Sequence, residues 1–150
     1  MSTINMDNAS VITMQNASGA GTQQLLFYGE VVTFYIVIQA ANTETINLSQ
    51  GGTTINYTDF STNQSTPFNI TGSGEAVHIV ASGWFTPNNN PYELSISTNT
   101  GHSVKLIYGT ANPQYQGTSL GGSYLLLAED GSDNDFNDVM VQFNWFKYQG

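Results

Sequence analysis

The chain has 150 residues, which is enough for one domain with a hydrophobic core. It carries eleven acidic residues against two lysines, Lys105 and Lys147, so the formal net charge is −9. Phosphate groups are bound by clusters of basic side chains, so this composition excludes a nucleic-acid partner and electrostatic binding to an anionic membrane. No apolar run reaches about 18 residues, which excludes membrane insertion, and the lack of cysteine excludes disulfides and thiolate metal sites.

The N-terminal residues 1–22 are predicted to be an extension or an extra strand of a single domain that spans 1–150. Within them, residues 11–14 fit either an added strand or a partly ordered arm. The N-terminus lacks the basic start and the apolar segment of a signal peptide. We therefore expect a soluble protein that is cytoplasmic, or is exported to the cell surface or outside by a non-classical route, or both.

Downstream, turn-rich segments alternate with short segments rich in β-branched and aromatic residues. The stretch 31–41 is apolar almost throughout and is predicted to be a strand buried on both faces. In 92–97 and 103–108, apolar and polar residues alternate, as in strands with one buried face. The turn-rich segments are 18–21, 50–52, 72–74, 87–91 and 117–122. This spacing predicts an all-β fold, an antiparallel β-sandwich of about nine to eleven strands of Greek-key type.

Five of the eleven acidic residues fall within ten positions near the C-terminus: Glu129, Asp130, Asp133, Asp135 and Asp138. Apolar strands are predicted on both sides of this stretch, at 124–128 and 139–145, so it forms a tight loop rather than a solvated tail. Carboxylates held so close together repel one another. A hard divalent cation relieves this repulsion, and calcium in particular takes six to eight oxygen ligands.

The EF-hand pattern does not explain this loop. Asp133, Asp135 and Asn137 match its first three ligand positions, but its glycine is replaced by Asp138 and its closing glutamate by Asn144. Two distant histidines and no cysteine argue against zinc or copper. Five carboxylates exceed the needs of one calcium ion, so two ions sharing bridging carboxylates fit better.

The stretch from Glu129 to Asp138, followed by an apolar strand that ends in Asn144 and Trp145, resembles the C-terminal signature of the bacterial two-calcium fucose/mannose-binding lectins. The family normally has Thr where Ser132 stands and Tyr where Phe136 stands. Fainter similarity begins near residue 23, and 40–46 resembles the first binding loop of the family and the strand that follows. Residues 1–22 show no such likeness.

The resemblance implies that Glu129, Asp133, Asp135 and Asp138 bind one calcium ion. Asp135, Asn137 and Asp138 would bind the other, so that Asp135 and Asp138 bridge the two ions and face the sugar. Asp130 and Asp133 would accept hydrogen bonds from sugar hydroxyl groups. The implied ligands are glycans that carry mannose or fucose.

A backbone carbonyl of the first loop would complete one calcium shell. Without a gap this carbonyl belongs to Gln39, whereas a gap anchored on Phe34 moves it to Ala40 or Ala41. Ala40, Ala41 and Asn42 would form the loop that tunes the preference between fucose and mannose, and their small size resembles mannose-preferring members.

The C-terminus departs from the family pattern. Family chains end in a glycine three residues after the tryptophan of the signature, and its carboxylate reaches a calcium ion of the partner subunit. Here Gly150 lies two residues further on. The resemblance still implies a homodimer or homotetramer in which Gly150 is a candidate calcium ligand.

Two other functions remain open. A calcium-stabilised structural or adhesion module would share the metal site but bind no sugar. A glycosidase would need two facing carboxylates with separated pKa values, and the remaining acidic residues show no such pairing in the sequence. We therefore expect a binding protein rather than an enzyme.

Overall fold

The computed structural model describes residues 2–8, 10–49, 54–59 and 68–147, and the predicted all-β antiparallel fold is confirmed. A single 3-10 turn, Met6–Asn8, precedes the strands. No helix in these ranges is long and apolar enough to cross a membrane. The strands are β1 Gln15–Asn16, β2 Thr22–Leu25, β3 Val32–Ser49, β4 Ile55–Asp59, β5 Phe68–Phe85, β6 Tyr92–Thr98, β7 Lys105–Ala111, β8 Gln114–Tyr115, β9 Thr118–Ser119, β10 Gly121–Glu129 and β11 Val139–Phe146.

Two long strands, β3 and β5, pair with each other and connect the other strands of the sandwich. The first half of β3, residues 32–38, pairs with β11, whereas its second half, residues 44–49, pairs with β6. The strands therefore pair in the order β1-β7-β10-β11-β3-β5-β4, with β6 and β2 added beside the second half of β3. Strands that pass from one layer to the other through bulges form the corners of such sandwiches.

The core lies between the two layers and is rich in aromatic rings. Phe27 is completely buried at its centre, with edge-on contacts to the rings of Phe85, Tyr92 and Tyr124 at 5.2, 5.3 and 5.5 Å. These contacts join the segment after β2 to β5, β6 and β10. Because one ring contacts three strands, packing around Phe27 fixes how the layers sit on each other.

Two expectations about these strands were wrong. Residues 31–41 form a strand, but it is buried on one face only: Thr33 is exposed, and Tyr35 and Val37 are half-buried on the outer face. That face lies away from the second layer, and the Tyr35 hydroxyl bonds to the Gln142 side chain there. The turn predicted at 72–74 is instead part of β5, because its glycines accommodate a bend within a continuous strand.

The turns predicted at 18–21 and 87–91 are found, whereas most of 117–122 is strand, since residues 118–119 form β9 and β10 begins at Gly121. Residues 86–91 link β5 to β6, and Gly21 and Gly117 have the positive φ angles of tight turns, 66° and 79°. The turn predicted at 50–52 lies outside the described residues. Residues 11–14 form no strand, but β1 pairs with β7 and the side chains of Ile12 and Met14 cover Gly109.

Replacing Phe27 with alanine should destabilise the protein by about 3–5 kcal/mol, because it leaves a cavity where three strands meet. Urea denaturation measures the change in the free energy of unfolding. The matched control is Tyr28→Ala, since Tyr28 is adjacent but 55% exposed and its loss should cost less than about 1 kcal/mol. Equal effects of the two substitutions would contradict the central role of Phe27.

Candidate metal centre

The acidic loop, residues 130–138, joins the two central strands β10 and β11 at one end of the sandwich. Ala128 and Val139 pair directly and are both buried. The Asp138 N–H donates to the Ala128 carbonyl at 3.2 Å, and the Gln39 N–H donates to the Asp138 carbonyl at 2.8 Å. Both ends of the loop are therefore fixed by core strands, as predicted, and the loop also contacts β3.

The loop brings its carboxylates into two groups that share Glu129. In one group, oxygens of Glu129, Asp133 and Asp135 lie within 4.8 Å of one another; in the other, oxygens of Glu129, Asp130 and Asp138 do so. Glu129 is only 2% exposed, and its Oε2 is buried without a hydrogen-bond partner. Oxygen-only donors and an orphaned buried carboxylate oxygen fit a hard cation such as calcium.

Hydrogen bonds within the loop hold these carboxylates in place. The Asp130 N–H donates to Asp138 Oδ2, and the Gly131 N–H donates to Glu129 Oε1, both at 2.7 Å. The Asn137 side chain donates to Asp135 Oδ2 at 2.7 Å. Phe136 has a φ angle of 51°, an uncommon conformation for this residue type, which turns the backbone between Asp135 and Asn137.

The surroundings raise the pKa values of two of these carboxyl groups, those of Glu129 and Asp138. Burial, the nearby Asp135 and the charge of Asp138 raise the pKa of Glu129 to about 7. Burial and the charge of Asp130 raise the pKa of Asp138 as well. Such shifts mark carboxylates whose ionised form lacks a counter-charge, and a bound cation supplies one.

The first binding loop is a bulge in β3. Ala40 pairs with Gly74 and Glu44 pairs with Gly72, so residues 41–43 lie opposite the single residue Ser73. From this bulge, the Asn42 side chain donates to Asp130 Oδ2 at 2.8 Å. Of the candidate loop residues, Asn42 therefore contacts the acidic loop through its side chain.

The other candidates of the first loop lie around this contact. Gln39 approaches the acidic loop through its backbone, as described above. Ala40 is buried and Ala41 is exposed. Which of the three carbonyl groups binds calcium stays a prediction, as do the roles of the loop carboxylates. Gly150 lies outside the described residues, and both histidines, His78 and His102, are exposed.

Sequence reasoning missed Glu44, an acidic residue buried behind the acidic loop. Its side chain is completely buried, and both carboxyl oxygens lack a hydrogen-bond partner. Burial and the neighbouring Asp130 raise its pKa to about 8, so the group is neutral at pH 7. A signal was available, because Glu44 shares the inward phase of its strand with Ile46 and Leu48.

Asp130 responds in the opposite way. Burial alone would raise the pKa of its carboxyl group, but the hydrogen bond from Asn42 and the contact with Glu44 outweigh this and lower it. The Thr98 hydroxyl, on β6, adds a long hydrogen bond to Asp130 Oδ2 at 3.5 Å. Asp130 is thus an ionised acceptor that side chains from two strands, β3 and β6, orient.

Glu44→Gln should remove part of the pH dependence of stability in calcium-free solution. The folded protein keeps the Glu44 proton up to pH 8, whereas the unfolded chain releases it near the ordinary pKa of 4.5. Its contribution is therefore complete below pH 4.5 and is lost as the pH rises to 8, by at most about 1.4 kcal/mol per pH unit. Urea denaturation at pH 5, 6.5 and 8 with a chelator measures this slope.

The matched control for this experiment is Glu93→Gln, since Glu93 is an exposed acid on the neighbouring strand β6. It should leave the slope unchanged. Glu129 also has a raised pKa, so Glu44→Gln flattens the profile without abolishing it. A slope identical to that of the wild type would show that Glu44 is ionised in the folded protein.

Comparison with known proteins places this geometry in context. Residues 28–147 match the family model described as fucose-binding lectin II (PA-IIL). No curated protein matches the chain in sequence.

Three solved lectin structures share the fold. The C-terminal domain of the BC2L-C lectin from Burkholderia cenocepacia is 16% identical, with 89% of this chain and 97% of that chain covered and a TM-score of 0.62. A high-affinity mannose-binding lectin of Ralstonia solanacearum is 21% identical, with coverages of 85% and 97% and a TM-score of 0.60. Chromobacterium violaceum lectin CV2L, in complex with α-methyl-fucoside, is 15% identical, with the same coverages and TM-score.

Proposed function

The chain belongs to the fucose-binding lectin II (PA-IIL) family, and from this premise we propose that it is a calcium-dependent lectin for mannose- or fucose-type sugars. The observation that carries the proposal is the group of Glu129, Asp133 and Asp135, whose oxygens lie within 4.8 Å of one another and in which Glu129 is buried, with an Oε2 that lacks a hydrogen-bond partner. Two of the similar structures are a mannose-binding lectin and a lectin in complex with a fucoside. A lectin binds its sugar without converting it, so no enzymatic activity is expected.

In this proposal, two calcium ions are held by the residues of the acidic loop. Glu129, Asp133, Asp135 and Asp138 are the proposed ligands of one ion, and Asp135, Asn137 and Asp138 those of the other. A carbonyl at Gln39, Ala40 or Ala41 adds to one shell. When bound, calcium supplies open coordination positions that vicinal sugar hydroxyls can fill.

The side chains around the loop would then select and orient the sugar. Asp130 and Asp133 accept hydroxyl protons in charge-assisted hydrogen bonds, which are short and strong. Asn42 holds Asp130 Oδ2 and occupies the proposed specificity loop with Ala40 and Ala41, so the preference for fucose or mannose depends on Asn42 through Asp130. The two alanines and Asn42 resemble the loop of mannose-preferring members, so mannose-type ligands are the proposed preference.

We also propose that the lectin is a homodimer or homotetramer, in which Gly150 reaches a calcium ion of the partner subunit. Several sites on one particle add avidity to a modest single-site affinity. The single domain over 1–150, with 1–22 as its extension, and export by a non-classical route remain predictions of the same kind.

Calcium should stabilise the wild type by about 2.7 kcal/mol when its concentration is 100-fold above Kd, because the unfolded chain cannot assemble the shell. Asp135→Asn should abolish most of this gain, since Asp135 is one of the two proposed bridging ligands. Thermal denaturation with calcium and with chelator measures both. Asp7→Asn, in the 3-10 turn before the first strand, is the control and should respond like the wild type. A wild-type melting temperature that calcium leaves unchanged would overturn the metal site.

Asp130→Asn should separate calcium binding from sugar binding. Asp130 is a proposed acceptor of hydroxyl protons rather than a metal ligand, so the variant should keep the calcium-induced stabilisation. Its affinity for methyl mannoside or fucoside should fall about 10- to 100-fold, the loss expected for one charged hydrogen bond. Calorimetric titration in calcium measures this affinity. Calcium stabilisation of the wild type with no heat from any monosaccharide would favour the purely structural calcium module instead.

A further inference from the structure

The positively charged side chain of Lys105 contacts the acidic loop. It begins β7, its backbone pairs with that of Glu129 at the end of β10, and its side chain is half-buried. The chain has two lysines and no arginine, and the second lysine, Lys147, follows the opposite end of β11. One of two cationic side chains in the whole sequence therefore lies beside five carboxylates.

The Lys105 ammonium group bonds to neutral oxygens rather than to these carboxylates. Its Nζ donates to the backbone carbonyl of Asp133 at 2.6 Å and to the side-chain oxygen of Asn134 at 3.0 Å. Both are charge-assisted hydrogen bonds, which are stronger than bonds between neutral groups. The carboxylate oxygens of the loop thus stay available for a metal ion.

These two bonds fasten the tip of the loop. Elsewhere the loop is held by its own carboxylates, through the Asp130, Gly131 and Asn137 donors described above. In the described part of the chain, the hydrogen bonds that link the exposed residues 132–134 to any strand both come from Lys105. Asp133, whose carboxylate joins Glu129 and Asp135 in one group, is the residue whose carbonyl is held.

We propose that Lys105 is a positioning residue for calcium capture, which fastens the tip of the acidic loop through neutral oxygens before the metal binds. The proposal rests on the proposed calcium site. A loop that must gather repelling carboxylates loses conformational entropy when it binds an ion, and fastening the tip in advance reduces that cost. Lys105 reduces this entropy cost without bonding to a carboxylate oxygen that could bind the metal.

Removing the charge of Lys105 tests the proposal, because electrostatic repulsion and positioning predict opposite changes in calcium affinity. A positive side chain near a divalent cation repels it, so electrostatics alone predicts that removing the charge strengthens calcium binding. Positioning predicts the opposite, because the unfastened tip must be ordered on binding. Lys105→Met replaces the lysine with an unbranched apolar side chain and so removes both the charge and the hydrogen-bond donors. Lys147→Met is the matched control at the far end of the β10–β11 hairpin.

The experiment compares wild type, Lys105→Met, Lys105→Arg and Lys147→Met in two measurements. NMR relaxation with chelator should give backbone order parameters at residues 132–135 that fall below about 0.6 in Lys105→Met and stay near about 0.85 in the other three proteins. Calorimetric calcium titration should give an affinity about tenfold weaker for Lys105→Met. Lys105→Arg, which keeps the charge and the donors, should stay within about threefold of the wild type.

Two results would overturn the proposal: unchanged order parameters at the tip in Lys105→Met, or calcium binding by that variant that is as tight as in the wild type or tighter. A wild type that takes up no calcium would instead overturn the proposed function. In that case the relaxation measurement in chelator still decides whether Lys105 fastens the tip, so the two failures are distinguishable.

Discussion

Repulsion among acidic side chains at one end of the sandwich is the constraint on which the site depends. Ala128 and Val139, at the two ends of the loop, are buried and paired, so the ten residues between them cannot spread apart. The apolar core thereby stabilises an arrangement that its charges oppose. Burial, with a smaller contribution from neighbouring carboxylates, raises the pKa values of Glu129 and Asp138, so the ionised form of both is disfavoured here. A divalent cation is the simplest group that lowers the repulsion.

The sandwich contributes a second segment to the site from far along the chain. β3 pairs with β11 up to Ile38 and then bulges, which places Gln39 and Asn42 beside Asp138 and Asp130. If β3 were regular, residues 41–43 would continue in the plane of the sheet. The change of layer in β3 therefore both forms the corner of the sandwich and supplies the side chain that orients Asp130.

Local patterns in the sequence predicted what depends on neighbouring residues. The acidic loop and the strands around it follow from charge density and from the alternation of apolar residues, and the structure has both. Long-range pairing could not be predicted in this way. Residues 72–74 look like a turn, yet they lie in β5 because Gly72 and Gly74 pair across the bulge of β3. Likewise, the outer face of 31–41 is apolar but only half-buried.

The protonation state of Glu44 likewise could not be predicted from local sequence patterns. Its inward phase can be read from the sequence, but its position behind Asp130 depends on the bulge, which brings β3 to the acidic loop. Burial then sets the protonation of Glu44, whereas hydrogen bonds set that of Asp130. Glu44, fully buried, keeps its proton at neutral pH, whereas Asp130, held by Asn42, gives it up.

The different protonation states of Glu44 and Asp130 have a consequence for ligand recognition. A second ionised acid behind Asp130 would add to the repulsion in the loop, whereas a neutral one adds none. Asp130 consequently presents a full negative charge from a site that its neighbours orient with neutral groups, the Asn42 amide and the Thr98 hydroxyl. Lys105 acts in the same way at the tip, where its acceptors are also neutral. At Asp130 and at the tip of the loop, positioning therefore adds no further ionised carboxylate, and the two bonds of Lys105 leave the carboxylate oxygens for ligands.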